Sequence, residues 1–481
     1  MAKITSVKKN FYYNSIYQIL TIIIPLITAP YISRVIGPTG NGIYSYTYSI
    51  VQYFALFAML GLNNYGNRSV AKCRNNKEKL SKEFCSIYAM QLMTSLIMLT
   101  IYVGYITVFN KKYFIYSLVQ LIYLISVCFD INWFFYGLEE FKLTVIRNTI
   151  IRLITVIGIF TIVKSEEDLI IYVVLMCISS LISQLILWPF LKKRINFIRP
   201  KLSDITKHII PNLRLFIPVI AISIYKFMDK IMLGNMSTME NVGYYEYAER
   251  IINIPLSIIT ALGTVMLPRI SNLVANGQDE KIKFYIDKSI KYMMFLSIPI
   301  AVGLIVISPN FIPLFLGEEF LQTAYIIQYL SVTIIFISWA NVIRTQYLIP
   351  KEKDSIYINS VIIGAVVNFI INIILIPKYQ TVGAAIGTIA AEFSVMLYQT
   401  IKVRKTLEIK KYLLDTSKFA ITGIVMFGVV ILLKKIIHNT IGLLIIQVVA
   451  GGLVYFILNY QFIKENIIYI PILNKLIKND R

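Results

Sequence analysis

One feature limits this chain more than any other: a run of some twenty apolar residues that recurs along almost its whole length, each run closed by a short polar stretch. A helix needs roughly 20 apolar residues to cross the hydrocarbon core of a bilayer. Lipid offers no partner to a free backbone amide, so a segment inside it must close its own hydrogen bonds as a helix. The dyad alternation of a membrane barrel is absent. Candidate spans centre on 14–36, 43–64, 84–107, 113–136, 143–163, 168–190, 210–233, 243–267, 286–308, 322–349, 355–376, 381–401, 417–436 and 440–462. The expected fold is an all-α polytopic membrane protein of about fourteen transmembrane helices. Composition agrees: of 481 residues, 57% are hydrophobic and 15% charged, where a soluble domain carries about 25% charged residues.

A formal net charge of +22 would suit a nucleic-acid binder if it were gathered on one soluble face. It is not. Lys and Arg crowd into every second connecting segment, as at Arg68–Lys82, Lys192–Lys207 and Lys402–Lys418, while the alternate segments carry few. This is the positive-inside pattern, and it places both termini in the cytoplasm. Nucleic acid is excluded as a partner, and the basic segments meet anionic lipid headgroups. The first apolar run follows Lys8 and Lys9 without a convincing cleavage site, so it reads as a retained span.

Cys73, Cys85, Cys128 and Cys177 form no C-x-x-C pair, and the only histidines are His208 and His438. No metal site, disulfide framework or cofactor is expected from them. No Walker A pattern is present, which argues against ATP hydrolysis by this chain. The segments assigned outside are short, the longest holding Pro309, Pro313, Gly317, Glu318 and Glu319. That leaves no external domain for a glycosyltransferase or a polymerase, and the chain is read as a non-enzyme.

An internal repeat is visible. The stretch Arg34–Gly37 followed by Gly42, Tyr44, Tyr46 and Tyr48 is matched by Lys230–Gly234 followed by Gly243, Tyr245 and Tyr247. An even number of spans separates the copies, so both have one orientation, the parallel arrangement of repeats about an axis along the membrane normal. The expected division is an N-terminal six-helix lobe (1–200), a second six-helix lobe (201–404) and an appended pair of helices with a cytoplasmic tail (405–481). Two lobes facing one another enclose a central cavity.

Four groups of residues, in this order and spacing, resemble bacterial polysaccharide flippases of the Wzx type. They are Asp130, Trp133, Gly137, Glu139, Phe141 and Lys142; Phe216, Pro218, Tyr225, Asp229, Lys230 and Gly234; Val242, Tyr245, Val265, Pro268 and Arg269; and Asn368, Asn372, Ile376, Pro377, Gly383 and Glu392. The resemblance runs from Asn10 to about Arg404. It implies the fourteen-helix fold of the multidrug/oligosaccharidyl-lipid/polysaccharide exporter superfamily. It also implies alternating-access export of undecaprenyl-pyrophosphate-linked repeat units across the bacterial cytoplasmic membrane, for capsule, O-antigen or a teichoic-acid-like polymer. A monomer is expected, with a polysaccharide polymerase and glycosyltransferases as candidate partners. The alternative within the superfamily is an ion-coupled drug or cation antiporter.

Ionisable groups inside spans are costly and default to functional candidates. The basic ones are Arg34, Arg152, Lys226, Lys230, Arg250 and Arg344; the acidic ones are Asp130, Asp229, Glu249 and Glu392. The cationic surplus suits a pyrophosphate, which arginine grips with a two-pronged hydrogen bond and lysine as a point charge. Arg34, Lys226, Lys230, Arg250 and Arg152, with Tyr44 and Tyr245, are the cavity candidates. Glu392, Asp130, Asp229 and Glu249 are the ion-coupling candidates. Each has a plainer alternative: snorkelling for Arg34, Lys230 and Arg344, a structural ion pair for Glu249, a hydrogen bond between helices for Asp130, and an interfacial aromatic belt for the tyrosines.

Overall fold

The computed structural model describes residues 7–437 and 440–466. His438 and the part of the expected tail beyond residue 466 lie outside the described residues. Among the described residues every regular element is helical. The chain divides into two units, Met1–Glu246 and Tyr247–Arg481.

The first unit begins with α1 (Val7–Met59), whose 53 residues would extend roughly 80 Å, more than twice the hydrocarbon core. It therefore holds the first two expected spans. They meet at Gly37, with φ 62° and ψ 179°, followed by Pro38; only a residue without a Cβ takes that conformation readily. Next come the short α2 (Leu62–Cys73) and α3 (Lys77–Val108), whose N-terminus is capped by Asn76 accepting from the Lys79 amide at 3.0 Å. After α4 (Phe114–Cys128) the chain breaks and restarts as α5 (Asn132–Gly137), followed by α6 (Phe141–Ile162) and α7 (Leu169–Leu185). Then α8 (Leu202–Thr206) and α9 (Ile209–Met236) lead to α10 (Met239–Ala275), whose first two turns close the unit. One core gathers Ile32, Ile36, Tyr44, Ile159, Leu169 and Tyr172 from α1, α6 and α7, with Val163 just past the end of α6. A second is aromatic, with Phe84, Trp133, Phe134 and Phe135 fully buried.

The second unit takes the rest of α10, then α11 (Asp279–Leu316), α12 (Leu321–Leu330) and α13 (Thr333–Ile343). A π-helical turn, Arg344–Leu348, follows. The last helices are α14 (Asp354–Val403), α15 (Ile409–Ile436), α16 (Thr440–Leu458) and α17 (Tyr460–Asn466). Phe295 of α11 packs on Phe419 at 5.7 Å and Phe462 at 5.1 Å between ring centroids. The 50 residues of α14 contain both expected spans 355–376 and 381–401, joined at Gln380 with φ 50° and ψ −122°.

Among the described residues nine helices are long and apolar enough to cross a membrane, or ten if the pair Glu318–Leu330 and Thr333–Leu348, bent by 45°, is one span. The lower number than the fourteen apolar runs arises partly because α14 carries two runs in one helix. Outward faces agree with a lipid solvent: Ile150, Ile154 and Ile157 on α6, and Ile421, Ile424 and Leu432 on α15, are exposed.

Candidate functional site

The tip of α9 and the start of α10 form an antiparallel hairpin across Ser237 and Thr238. This register brings two consecutive residues of one helix against two of the other. The Tyr245 hydroxyl donates to Asp229 Oδ2 at 2.9 Å, and Lys230 Nζ donates to Glu246 Oε2 at 2.8 Å. Asp229 is 2% exposed, Lys230 8% and Tyr245 0%, so both contacts act where the effective dielectric is low. Lys226, one turn earlier, is exposed, and its ammonium and that of Lys230 stand 5.7 and 6.0 Å from the Phe227 ring centroid. The second half of α1 packs on this hairpin. Tyr46 donates to Asn235 Oδ1 at 2.8 Å, and Gly42 and Gly243, the repeat-related glycines, sit at the crossing.

Four sequence candidates, Lys226, Asp229, Lys230 and Tyr245, thus come together on one hairpin. Arg34 is exposed on α1 and donates to the Pro30 carbonyl at 3.0 Å. Tyr44 lies inside the core, stacked on Tyr48 at 5.6 Å and edge-on to Tyr172 at 5.0 Å. Arg152 is half-buried on α6.

Asp130 belongs to a different cluster, at the break between α4 and α5. Its Oδ1 accepts from the Asn132 backbone amide at 2.9 Å and from Asn132 Nδ2 at 2.7 Å. Asn132 Oδ1 in turn accepts from Arg147 Nη2 at 2.9 Å, and Arg147 Nη1 reaches the Ser183 carbonyl at 2.8 Å. The break exposes carbonyls that side chains then satisfy: Gln91 Nε2 donates to the Val127 and Asp130 carbonyls, and Trp133 Nε1 donates to Gln91 Oε1 at 3.0 Å. Replacing Arg147, which is 5% exposed, by methionine is expected to cost about 3 kcal/mol, because buried polar partners lose charge-assisted bonds. The unfolding temperature of the detergent-solubilised chain measures it, with Arg147→Lys falling between wild type and Arg147→Met.

In the second unit, Glu249 and Arg250 lie half-buried on α10, and the Arg250 guanidinium stands 5.4 Å from the Tyr247 ring centroid. Glu392 is half-buried on α14. Arg344 opens the π turn, 5.6 Å from the Tyr357 ring centroid. Two residues later Gln346 is 0% exposed, and among the described residues neither its amide nitrogen nor its oxygen has a hydrogen-bond partner. Sequence reasoning overlooked Glu246 and Arg147, although both fall inside expected spans and their charge alone could have singled them out. Among the described residues no His, Cys, Asp and Glu cluster could hold a metal ion.

His208, just before α9, shares a 2.6 Å hydrogen bond with the Tyr65 hydroxyl, and Glu83 Oε1 lies 3.9 Å away. Burial, with the Lys207 ammonium nearby and Asp204 opposing it, lowers the imidazole pKa from 6.5 to about 4. Between those values the unfolded chain binds a proton that the folded chain does not. The stability this group contributes is therefore complete above pH 6.5 and is lost as pH falls toward about 4. The unfolding temperature is expected to fall more steeply across that window in wild type than in His208→Gln.

These features define a polytopic helical membrane protein. The structure superposes on the inward closed conformation of the lipid II flippase MurJ with a TM-score of 0.78 at 20% identity, covering 94% of this chain and 98% of that one. An inward-facing multidrug resistance MATE family transporter of the MOP superfamily matches with a TM-score of 0.60 at 14% identity, over 81% and 99%. A protein of Shigella dysenteriae named "Putative O-antigen transporter" is 24% identical over 379 residues, 78% of this chain and 94% of its own length. The family described as "Polysaccharide biosynthesis protein" matches residues 7–274, and the family described as "MatE" matches residues 215–374. The first match takes in more than half of the chain, which belongs to the polysaccharide biosynthesis protein family.

Proposed function

We propose that this chain is a flippase that moves undecaprenyl-pyrophosphate-linked oligosaccharide repeat units across the bacterial cytoplasmic membrane, for capsule, O-antigen or a teichoic-acid-like polymer. The observation that carries the reading is the family match over residues 7–274. The Shigella relative, matched over nearly its full length, and the MurJ likeness in fold support it. No covalent bond of the substrate changes. The task is to carry a sugar and a charged diphosphate through a low-dielectric layer, and fixed cations lower that barrier.

Fourteen spans, both termini in the cytoplasm, a monomer, and two repeat-related lobes (1–200 and 201–404) rocking about a central cavity, with 405–481 appended, complete the proposal. A polysaccharide polymerase and glycosyltransferases are its proposed partners. Arg34, Arg152, Lys226 and Arg250 are proposed for the diphosphate, and Glu392 and Glu249 for ion coupling. The contacts of Asp229 with Tyr245, Lys230 with Glu246, Tyr44 with Tyr172 and Asp130 with Asn132 support positioning roles for those candidates.

The MatE match over residues 215–374 favours one second reading, an ion-coupled drug or cation antiporter. Deleting the gene and analysing lipid-linked intermediates separates the two. Undecaprenyl-linked repeat units accumulating inside, with surface glycan lost, is the expected result. Normal glycan with altered sensitivity to cationic compounds would sink the flippase reading.

A further inference from the structure

Three helix faces in the first unit converge on a pocket of about 660 Å³. From α2 come Tyr65, Arg68, Ser69, Lys72 and Cys73; from the first turns of α3, Lys79, Lys82 and Glu83; from the first two turns of α9, Pro211, Arg214 and Leu215. Each set follows the spacing of one helix face, i, i+3, i+4, so the lining is a product of three helices and not of a disordered basic loop. It carries five cations and one carboxylate.

The carboxylate and one cation already have opposite charges beside them. Glu83 lies 3.9 Å from Lys207, and Lys82 lies 3.2 Å from Asp204. Among the described residues no carboxylate lies within 4.0 Å of Arg68, Lys72, Lys79 or Arg214. The positive-inside rule asks for Lys and Arg near the ends of spans. It does not ask that four of them, with no carboxylate within 4.0 Å among the described residues, face one concavity that holds a single carboxylate, Glu83. That arrangement raises the electrostatic energy of the empty pocket and favours a multiply charged anion, for which the guanidinium forks are well shaped.

The pocket also stands beside an apolar face. On α9, Ile210, Leu213 and Ile217 are 63%, 42% and 52% exposed and flank Arg214 at helical spacing. All three helices meet the pocket where an expected span ends or begins, the depth of lipid headgroups. We propose that this pocket binds the phosphate or diphosphate headgroup of a membrane lipid on the cytoplasmic side, its hydrocarbon chain lying along Ile210, Leu213 and Ile217. The bound lipid is either an anionic phospholipid or a polyprenyl diphosphate, which share this chemistry. The site does not depend on the flippase reading and would stand if the chain exported drug cations.

The full-length chain in phosphatidylcholine nanodiscs tests it, with undecaprenyl diphosphate, phosphatidylglycerol and inorganic pyrophosphate as separate probes. The pocket variant carries Arg68→Gln, Lys72→Gln and Arg214→Gln. The control carries Lys77→Gln, Lys192→Gln and Lys193→Gln, equally basic residues of the same face that do not line the pocket. Affinity for one or both lipids is expected to fall about fivefold per cation removed in the pocket variant and less than twofold in the control. Loss for undecaprenyl diphosphate alone identifies the polyprenyl lipid as occupant; equal loss for phosphatidylglycerol identifies a general phospholipid site. Equal losses in pocket and control variants would overturn the proposal in favour of diffuse surface charge. Lipid binding unchanged while pyrophosphate binding is lost would overturn it in favour of a soluble anion. If the triple variant does not fold, Arg214→Gln alone, at an exposed position, reads the same fivefold change.

Discussion

Lys230→Met is expected to destabilise the chain by about 3–5 kcal/mol, because it takes away the cation from a largely buried carboxylate. Glu246 and Lys230 are 14% and 10% exposed in their side chains and 2.8 Å apart. Without the lysine, the Glu246 charge is less well compensated in a poorly solvated place, and keeping that charge or taking up a proton costs free energy. Glu246→Gln is expected to cost a similar amount for the opposite reason. The informative variant is the exchange, Lys230→Glu with Glu246→Lys, which restores a pair of the same length along the same hairpin. It is expected to recover more than half of the loss, read as the amount of monodisperse protein extracted from membranes and its unfolding temperature. Surface polymer is then measured on the same strains. Recovery of both stability and polymer means that the pair holds α9 against α10. Recovery of stability without polymer means that the Lys230 ammonium itself meets the anionic substrate. Neither recovering would show that the hairpin depends on the direction of the pair as well as its charge.

Helical membrane architecture was legible because lipid leaves a chain so few choices. Runs of twenty apolar residues force helices, and their breaks fell where Gly37-Pro38 and Gln380 stand in the structure. The two glycines were legible too: Gly42 and Gly243, marked out by their common spacing to Tyr44 and Tyr245, each face the chain segment that carries the other. Partners of charged residues were much less so. Glu249 drew notice for an ion pair between helices, whereas Glu246, which drew none, stands 2.8 Å from Lys230. The choice is made by the length of the turn at Ser237 and Thr238, which sets the register of α9 against α10, and no local pattern encodes that register. Asp130 drew notice as a carboxylate at membrane depth. Its structural use, holding Asn132 where the helix breaks, depends on Arg147 and Ser183, which lie 15 and 36 residues apart from their partners. The cationic pocket was half visible: the basic segment Arg68–Lys82 was read as facing headgroups, but Arg214 joins it only through folding.

Gly42→Ala is expected to be the most damaging single methyl that can be added to the first unit. A Cβ at Gly42 would lie 1.7 Å from the Met239 carbonyl oxygen and 2.6 Å from its carbon; at Gly243 it would lie 2.2 Å from the Pro38 carbonyl oxygen. These obstacles are backbone, which cannot swing aside as a long side chain can, so α1 and the start of α10 must separate. Overpacking commonly costs about 1–3 kcal/mol, and a clash with main chain on this scale belongs at or above the upper end. Gly104→Ala is the matched control: nothing lies within 4 Å of its Cβ position, and alanine there is expected to be neutral or to stabilise by up to about 1 kcal/mol through helix propensity. The folded fraction extracted from membranes and the surface polymer are both expected to fall for Gly42→Ala and Gly243→Ala and to stay at wild-type levels for Gly104→Ala. Wild-type behaviour of Gly42→Ala would mean that the two helices are not in backbone contact. The double variant adds a sharper constraint. Each glycine faces the chain segment that carries the other, so once one methyl has pushed the helices apart, the second meets an opening already made. Its loss should be smaller than the sum of the single losses, the coupling expected of sites sharing one displacement. Full additivity would place the two glycines in separate contacts, and their shared position in the repeat would then owe nothing to this crossing.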